Sequence, residues 1–101
     1  ADRVEVEQIH NSVKISWVTE IRAFGKVNEH RLTVTFARTD RWILRQIWTN
    51  NEGLLQWLPR WMTRLESGDE VDVEAFLKFY HIPTENWAEW RNVGWEGWSY
   101  R

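Results

Sequence analysis

The pattern of apolar and polar positions changes period after residue 50. Before that point, apolar and polar residues alternate over 3–9, 13–22 and 31–38, as they do in β-strands with one buried face. Turn-forming residues separate these segments, first Asn11-Ser12 and then a loop marked by Gly25 and Asn28-Glu29. The first half therefore predicts an antiparallel β-meander.

Segment 41–49 fits either a strand or a helix, and its β-branched and aromatic content favours a fourth strand. As a strand, it would place Trp42, Leu44 and Trp48 on one face. The meander is thus predicted to have three or four strands. In the second and third segments the alternation separates two faces, and the residues predicted to point inward are Val13, Ile15, Trp17, Ile21, Leu32, Val34 and Phe36.

Helical spacing begins at Leu54, where apolar residues recur in a single stripe as far as Leu65. Pro59 lies inside this stripe, so it should fall in the first turn of the helix or kink it. Ser67-Gly68 is expected to end the helix, with glycine at the left-handed closing position.

Two further helices are predicted, one over 73–80 with Asp72 as its N-cap and one from Thr84 to about Arg91. Strands followed by helices define an α+β fold. We predict an N-terminal antiparallel meander of three or four strands followed by three short helices, in a single domain over residues 1–101.

Composition narrows the function classes. The chain has 101 residues and no cysteine, which excludes disulfides and thiolate metal sites and fits a cytoplasmic protein. No apolar run approaches the length of a membrane span, so we expect no membrane partner. Residues 1–50 carry eight basic and six acidic side chains, whereas residues 51–101 carry five and nine. This modest asymmetry suits a protein partner and gives only weak support for nucleic acid.

Tryptophan is the compositional outlier, with nine residues. A domain of this size can bury about four or five such rings, so several are expected at the surface, where tryptophan is enriched in interface hot spots. The alternative interpretation, an aromatic-rich core with a few half-exposed rings, is equally consistent with the count.

Catalytic and metal-binding patterns are missing from the sequence. His10, His30 and His81 each lie near a predicted turn without a nucleophile motif, and the chain has no phosphate loop or dinucleotide fingerprint. The acidic run from Glu66 to Glu74 lacks calcium-loop spacing and is better explained by helix capping. We therefore expect no enzyme activity, no cofactor and no metal.

Two nucleic-acid hypotheses compete with the protein-binding one. Helices 73–80 and 84–91 around His81-Ile82-Pro83 are arranged like a helix-turn-helix, but the second helix would expose Glu85 and Glu89 to phosphate, which favours a structural hairpin. The other hypothesis, single-strand binding, would use basic residues of the sheet region interleaved with Trp42 and Trp48, namely Arg22, Lys26, Arg31, Arg38, Arg41 and Arg45.

The sequence favours a small accessory or regulatory protein that binds a protein partner through tryptophan and arginine side chains. Such compact domains suit a phage or mobile-element protein that inhibits a host machine, and exposed tryptophans would also suit a homodimer. The predicted partner-binding residues are Arg41, Trp42 and Arg45, with Trp95 and Trp98 from the C-terminal tail. In the alternative, a DNA-binding regulator, the contacts would come from Asn86, Arg91 and Arg38.

Overall fold

A computed structural model describes residues 3–80 of the chain. Four strands form one antiparallel sheet in the order β1-β2-β3-β4, which confirms the N-terminal meander. The strands are β1 (Arg3–Ile9), β2 (Ser12–Ala23), β3 (Lys26–Arg38) and β4 (Trp42–Thr49).

Segment 41–49 is confirmed as a strand, but its expected face pattern is wrong at Trp48. Thr35 of β3 pairs with Gln46, while the next residue, Phe36, pairs with Leu44. Arg45 is therefore the extra residue of a β-bulge, and the alternation of faces shifts by one position there. Trp42 and Leu44 point into the core, whereas Trp48 lies on the opposite face and is 46% exposed.

The loop predicted at Gly25 and Asn28-Glu29 is also wrong. Pairing between β2 and β3 is continuous as far as Ala23 and Lys26, which leaves a two-residue turn, Phe24-Gly25. β1 ends opposite Val18, and β4 ends opposite Leu32. Beyond those rows, among residues 3–80, β2 and β3 pair only with each other and form a two-stranded ribbon of about five residues per strand, or roughly 17 Å at the rise of a β-strand.

One face of the sheet carries the core. Its strand residues include Trp17, Leu32 and Phe36, all fully buried. The single helix predicted over 54–65 is wrong, because the covering segment consists of a 3-10 helix (Glu52–Trp57) and a short α-helix, α1 (Arg60–Thr63). Pro59, in an extended conformation, separates them.

Helix α2 (Val73–Phe79) completes the core and starts as predicted. The Asp72 carboxylate accepts a hydrogen bond from the Ala75 backbone N–H at 3.0 Å, which satisfies a free donor of the first turn. Phe76, fully buried, places its ring 6.0 Å from Trp17 and 5.1 Å from Phe36. Helix α2 is thus held against the sheet by aromatic packing.

The helix predicted from Thr84 to about Arg91 lies outside the described residues, and so does the second half of the proposed helix-turn-helix. Within residues 3–80, no helix has the length and apolar character required to span a membrane.

Candidate binding surface

The end of the β2–β3 ribbon, residues 21–28 (the hairpin tip), carries an unusual concentration of exposed apolar side chains. Every residue from 21 to 29 is exposed. Phe24 is 103% exposed, Val27 57% and Ile21 46%. These three account for half of the six large exposed hydrophobic residues in the described part of the chain. Ile21 pairs with Asn28 and Val27 with Arg22, so Ile21 and Val27 lie on opposite faces of the ribbon and the tip is apolar on both sides. Exposed apolar side chains on a projecting element are typical of a contact surface.

The turn itself is strained at Phe24. Phe24 has a φ of 54° and Gly25 a φ of 75°, so both central residues occupy the left-handed region, as in the type I′ turns of tight hairpins. Gly25 adopts this conformation without cost, but for a bulky L-residue the left-handed region costs about 1–2 kcal/mol. Asparagine, aspartate or glycine is the usual residue at the Phe24 position. The tip therefore holds a large aromatic side chain in a place that turn geometry disfavours.

The base of the ribbon is held by two arginines. Glu20 and Glu29 face each other across β2 and β3, which alone would be repulsive. Arg3 of β1 donates to both carboxylates, to Glu20 at 2.9 Å and to Glu29 at 3.1 Å. Arg31 donates to Glu29 at 3.0 Å and pairs with Glu5 at 2.9 Å. This network (the basal clamp: Arg3, Glu5, Glu20, Glu29 and Arg31) ties the ribbon to the first strand.

The basal clamp also covers an apolar residue on the second face of the sheet. Val18 lies between Arg3 and Arg31 in the strand register and is completely buried, although its side chain points away from the core. Arginine stems commonly cover apolar surface while the charged ends stay in contact with water. The clamp therefore combines charge pairing with packing, and both orient the ribbon.

The clamp should make the ribbon sensitive to acid. The hydrogen bond from Arg31, reinforced by one from Arg3, holds the pKa of Glu29 below its ordinary value of 4.5. A lowered carboxyl pKa stabilises the folded state above the ordinary value, and that contribution is lost as the pH falls through the folded value. We expect residues 19–31 to lose order as the pH falls below 4.5 and passes through the lowered pKa of Glu29, before the sheet unfolds.

Backbone NMR across an acid titration would measure this loss of order. Glu29→Gln is the matched variant, since it keeps the side-chain shape and removes the titrating group. The acid-induced change in the ribbon should be smaller in Glu29→Gln. The same acid response in both proteins would show that Glu29 does not control the ribbon.

A second surface contains three of the sequence-predicted residues. Arg38, Arg41 and Trp42 line a shallow depression of about 710 Å³, whose other side is formed by residues 70–74. The Arg38 guanidinium lies 5.6 Å from the Trp42 ring centroid, in cation–π geometry. Arg41 donates to Glu70 at 3.0 Å. Trp42 is only 9% exposed and belongs mainly to the core.

The charges of this depression do not favour phosphate. Two arginines line it, whereas the facing segment contributes Glu70, Asp72 and Glu74. Nucleic-acid binding depends on cations that are available to neutralise phosphates, and Arg41 is already bonded to Glu70. A mixed-charge surface of this kind is more typical of the rim of a protein interface.

The structure separates the other predicted site residues from this group. Arg45 is the bulged residue of β4, with an exposed side chain, and its carbonyl oxygen accepts a hydrogen bond from the Ser67 hydroxyl at 2.8 Å. It does not line the depression. The predicted residues that lie outside the described part of the chain are Asn86, Arg91, Trp95 and Trp98.

Sequence reasoning missed the hairpin tip. Ile21 was expected to face the core, because it continues the alternation of Val13, Ile15 and Trp17. In the structure Ile21 lies beyond the last row that β1 and β4 share with the central strands, so no core reaches it. A signal was present: Phe24-Gly25 interrupts two long alternating segments, and an aromatic residue is unusual at that point of a tight turn.

Metal-ligand geometry and similarity to known proteins add no further candidate. Among residues 3–80, no group of three or more histidine, aspartate or glutamate side chains is arranged to hold a metal ion. Comparison of the chain with protein-family models, curated proteins and solved structures gave no match.

Proposed function

We propose that this chain is a non-catalytic accessory or regulatory protein that docks on a protein partner by inserting its hairpin tip. The observation that carries the proposal is the exposure of Phe24 at the turn of a projecting ribbon, with Ile21 and Val27 exposed on its two opposite faces. Fully burying one such side chain contributes about 1.5–3 kcal/mol, which offsets part of the entropic cost of association. Exposed aromatic anchors with a neighbouring arginine have the composition of interface hot spots.

The charge of the tip indicates the kind of receptor. Arg22 and Lys26 are the charged residues of the segment 21–28, which contains no acidic residue. A partner site with an apolar pocket and an acidic rim would match the three apolar side chains and the two cations. The partner surface that fits is therefore concave, apolar at its centre and negatively charged around it.

The ribbon is also preorganised for binding in the unbound protein. Its strands are paired as far as the turn, and the basal clamp fixes its origin on the sheet. A preformed contact element loses less conformational entropy on association than a flexible loop. The Arg38–Trp42 depression is not required by this proposal, since its arginines and acids already satisfy one another in part.

Photo-crosslinking tests the proposal. Benzoylphenylalanine is placed at position 24 and, as a matched control, at position 79, because Phe79 is another exposed phenylalanine, on helix α2. Irradiation in an extract of the producing cell should give a discrete protein adduct from position 24 that is missing from position 79. Excess unlabelled protein should compete the adduct away, whereas excess Phe24→Ser protein should not.

Two outcomes would refute the proposal. One is an adduct that forms equally from positions 24 and 79, because contact would then not be specific to the tip. The other is competition by Phe24→Ser as effective as that by the wild-type protein, because the aromatic anchor would then be dispensable.

A further inference from the structure

The base of the ribbon is held in different ways on its two sides. On the β1 side, the contacts join charged side chains, from Arg3 to Glu20 at 2.9 Å and to Glu29 at 3.1 Å. On the β4 side, the main chain of β3 is held by uncharged side chains at the end of β4. The second anchor therefore does not depend on charge pairing.

Asn50 takes the place of an additional peptide group at the end of β4. Its Nδ2 donates to the Glu29 carbonyl oxygen at 2.8 Å, and its Oδ1 accepts from the Arg31 backbone N–H at 2.9 Å. A side-chain amide offers the same kinds of donor and acceptor as a peptide bond. Asn50 thus extends the hydrogen bonding of β3 past the last row that it shares with β4, which is Leu32 opposite Thr49.

The two neighbours of Asn50 are themselves fixed. The Thr49 hydroxyl donates to the Arg31 carbonyl oxygen at 2.8 Å. The Asn51 amide nitrogen lies 2.9 Å from Nδ1 of His30, and its Oδ1 caps the 3-10 helix. Asn50 is therefore held between one residue tied to the sheet and one tied to the segment that covers the core.

A two-stranded ribbon needs such anchors, because it twists more than a wide sheet and has little stability of its own. Among residues 3–80, β2 and β3 pair only with each other in the ribbon, so its direction is set at its base. Over a length of roughly 17 Å, a tilt of about 15° at the base would displace the turn by about 4 Å. A displacement of that size would remove Phe24 from a pocket shaped to receive it.

We infer that Asn50 is a positioning residue, which fixes the direction of the hairpin tip from the β4 side without belonging to the contact surface. Its consequence for docking rests on the function proposed above. A protein that holds its binding conformation for only a fraction of the time binds more weakly in proportion to that fraction. Asn50 is exposed and lies outside the core, so its replacement should leave the sheet folded.

Residual dipolar couplings of the backbone amides test the inference on the full chain. In the wild type, the couplings of residues 21–28 should fit the alignment of the sheet. Asn50→Asp keeps the shape and the acceptor but loses the donor to Glu29, and Asn50→Ala removes both hydrogen bonds without adding charge. In both variants the couplings of residues 21–28 should no longer fit, while those of the sheet remain unchanged.

Asn11→Asp is the matched control. It makes the same chemical change at an exposed position in the β1–β2 turn, at the opposite end of β2 from the hairpin tip. Its couplings should equal those of the wild type. Wild-type couplings for residues 21–28 in both Asn50 variants would overturn the inference. Release of the tip by Asn50→Asp alone would also overturn it, because the added charge and not the lost hydrogen bonds would then be the cause.

Competition for the crosslink at position 24 tests the consequence for docking. We expect that roughly ten times more Asn50→Ala protein than wild-type protein is required to compete the adduct away. Equal competition by a variant whose tip is released would show that the direction of the tip is irrelevant to docking and would overturn the positioning role. If the wild type gives no specific adduct, the proposed function fails, whereas the couplings still decide whether Asn50 fixes the tip.

Discussion

Replacing Phe76 with alanine is expected to lower the free energy of unfolding by about 3–5 kcal/mol, the usual cost of removing a buried phenylalanine. Phe76 is completely buried and contacts the rings of Trp17, Phe36 and Tyr80. Its loss would leave a cavity between α2 and the sheet that the surrounding rings cannot fill. The total free energy of unfolding of a domain of this size is about 5–15 kcal/mol, so the variant should be close to unfolding.

Phe79→Ala is the matched control, since it makes the same change in the same helix. Phe79 is 45% exposed, and its substitution should cost no more than about 1 kcal/mol. Urea denaturation followed by tryptophan fluorescence measures both variants, because Trp17 lies against Phe76. Equal decreases in the free energy of unfolding of the two variants would contradict the described packing of α2 on the sheet.

Phe24→Asn is expected to have the opposite effect and raise the free energy of unfolding by about 1 kcal/mol, since asparagine tolerates the left-handed conformation that phenylalanine disfavours. Phe24 is fully exposed, so its removal takes no packing from the core. The same substitution should abolish docking, because it removes the aromatic anchor. Stability and binding would then change in opposite directions, as at sites that are shaped for function.

Phe24→Ala separates the effect of losing the aromatic ring from the effect of relieving the backbone strain. Alanine removes the aromatic ring but remains an ordinary L-residue with the same left-handed φ, so it should relieve little of the strain. The stability of Phe24→Ala should therefore stay near that of the wild type, while docking is lost as in Phe24→Asn.

The sheet was predictable because alternation reports directly on burial. Val13, Ile15 and Trp17 alternate with polar residues and are buried as expected, and the Asp72 cap follows from a local rule that needs no tertiary information. These features depend on neighbouring residues alone. Sequence reasoning therefore recovered the α+β class and an N-terminal meander of three or four strands.

The features that were mispredicted depend on where strands end relative to one another. The bulge at Arg45 reverses the faces of β4 without a glycine to mark it. Ile21 looks like a core residue in sequence, but it extends past the rows that β1 and β4 share with the central strands. Pro59 divides the predicted helix into two elements. The segment before it forms a 3-10 helix, and α1 begins after it.

The binding surface predicted around Trp42 differs from the surface that the structure exposes for the same reason. Trp42 was expected to contact a partner, since tryptophan is common in hot spots, yet its position on β4 places most of the ring in the core. Phe24 is not marked by any pattern in the sequence, because a single aromatic residue beside glycine carries no periodic signal. Only the strand register reveals that this residue stands at the end of a projecting ribbon.

The free energy of unfolding of Phe24→Asn, measured by urea denaturation beside the wild type and Phe24→Ala, tests the central claim most directly. If Phe24 is held at the tip for contact and not for folding, Phe24→Asn will be more stable than the wild type by about 1 kcal/mol, and Phe24→Ala will match the wild type. Lower stability in both variants would contradict the account, because it would show that the Phe24 ring packs within the protein.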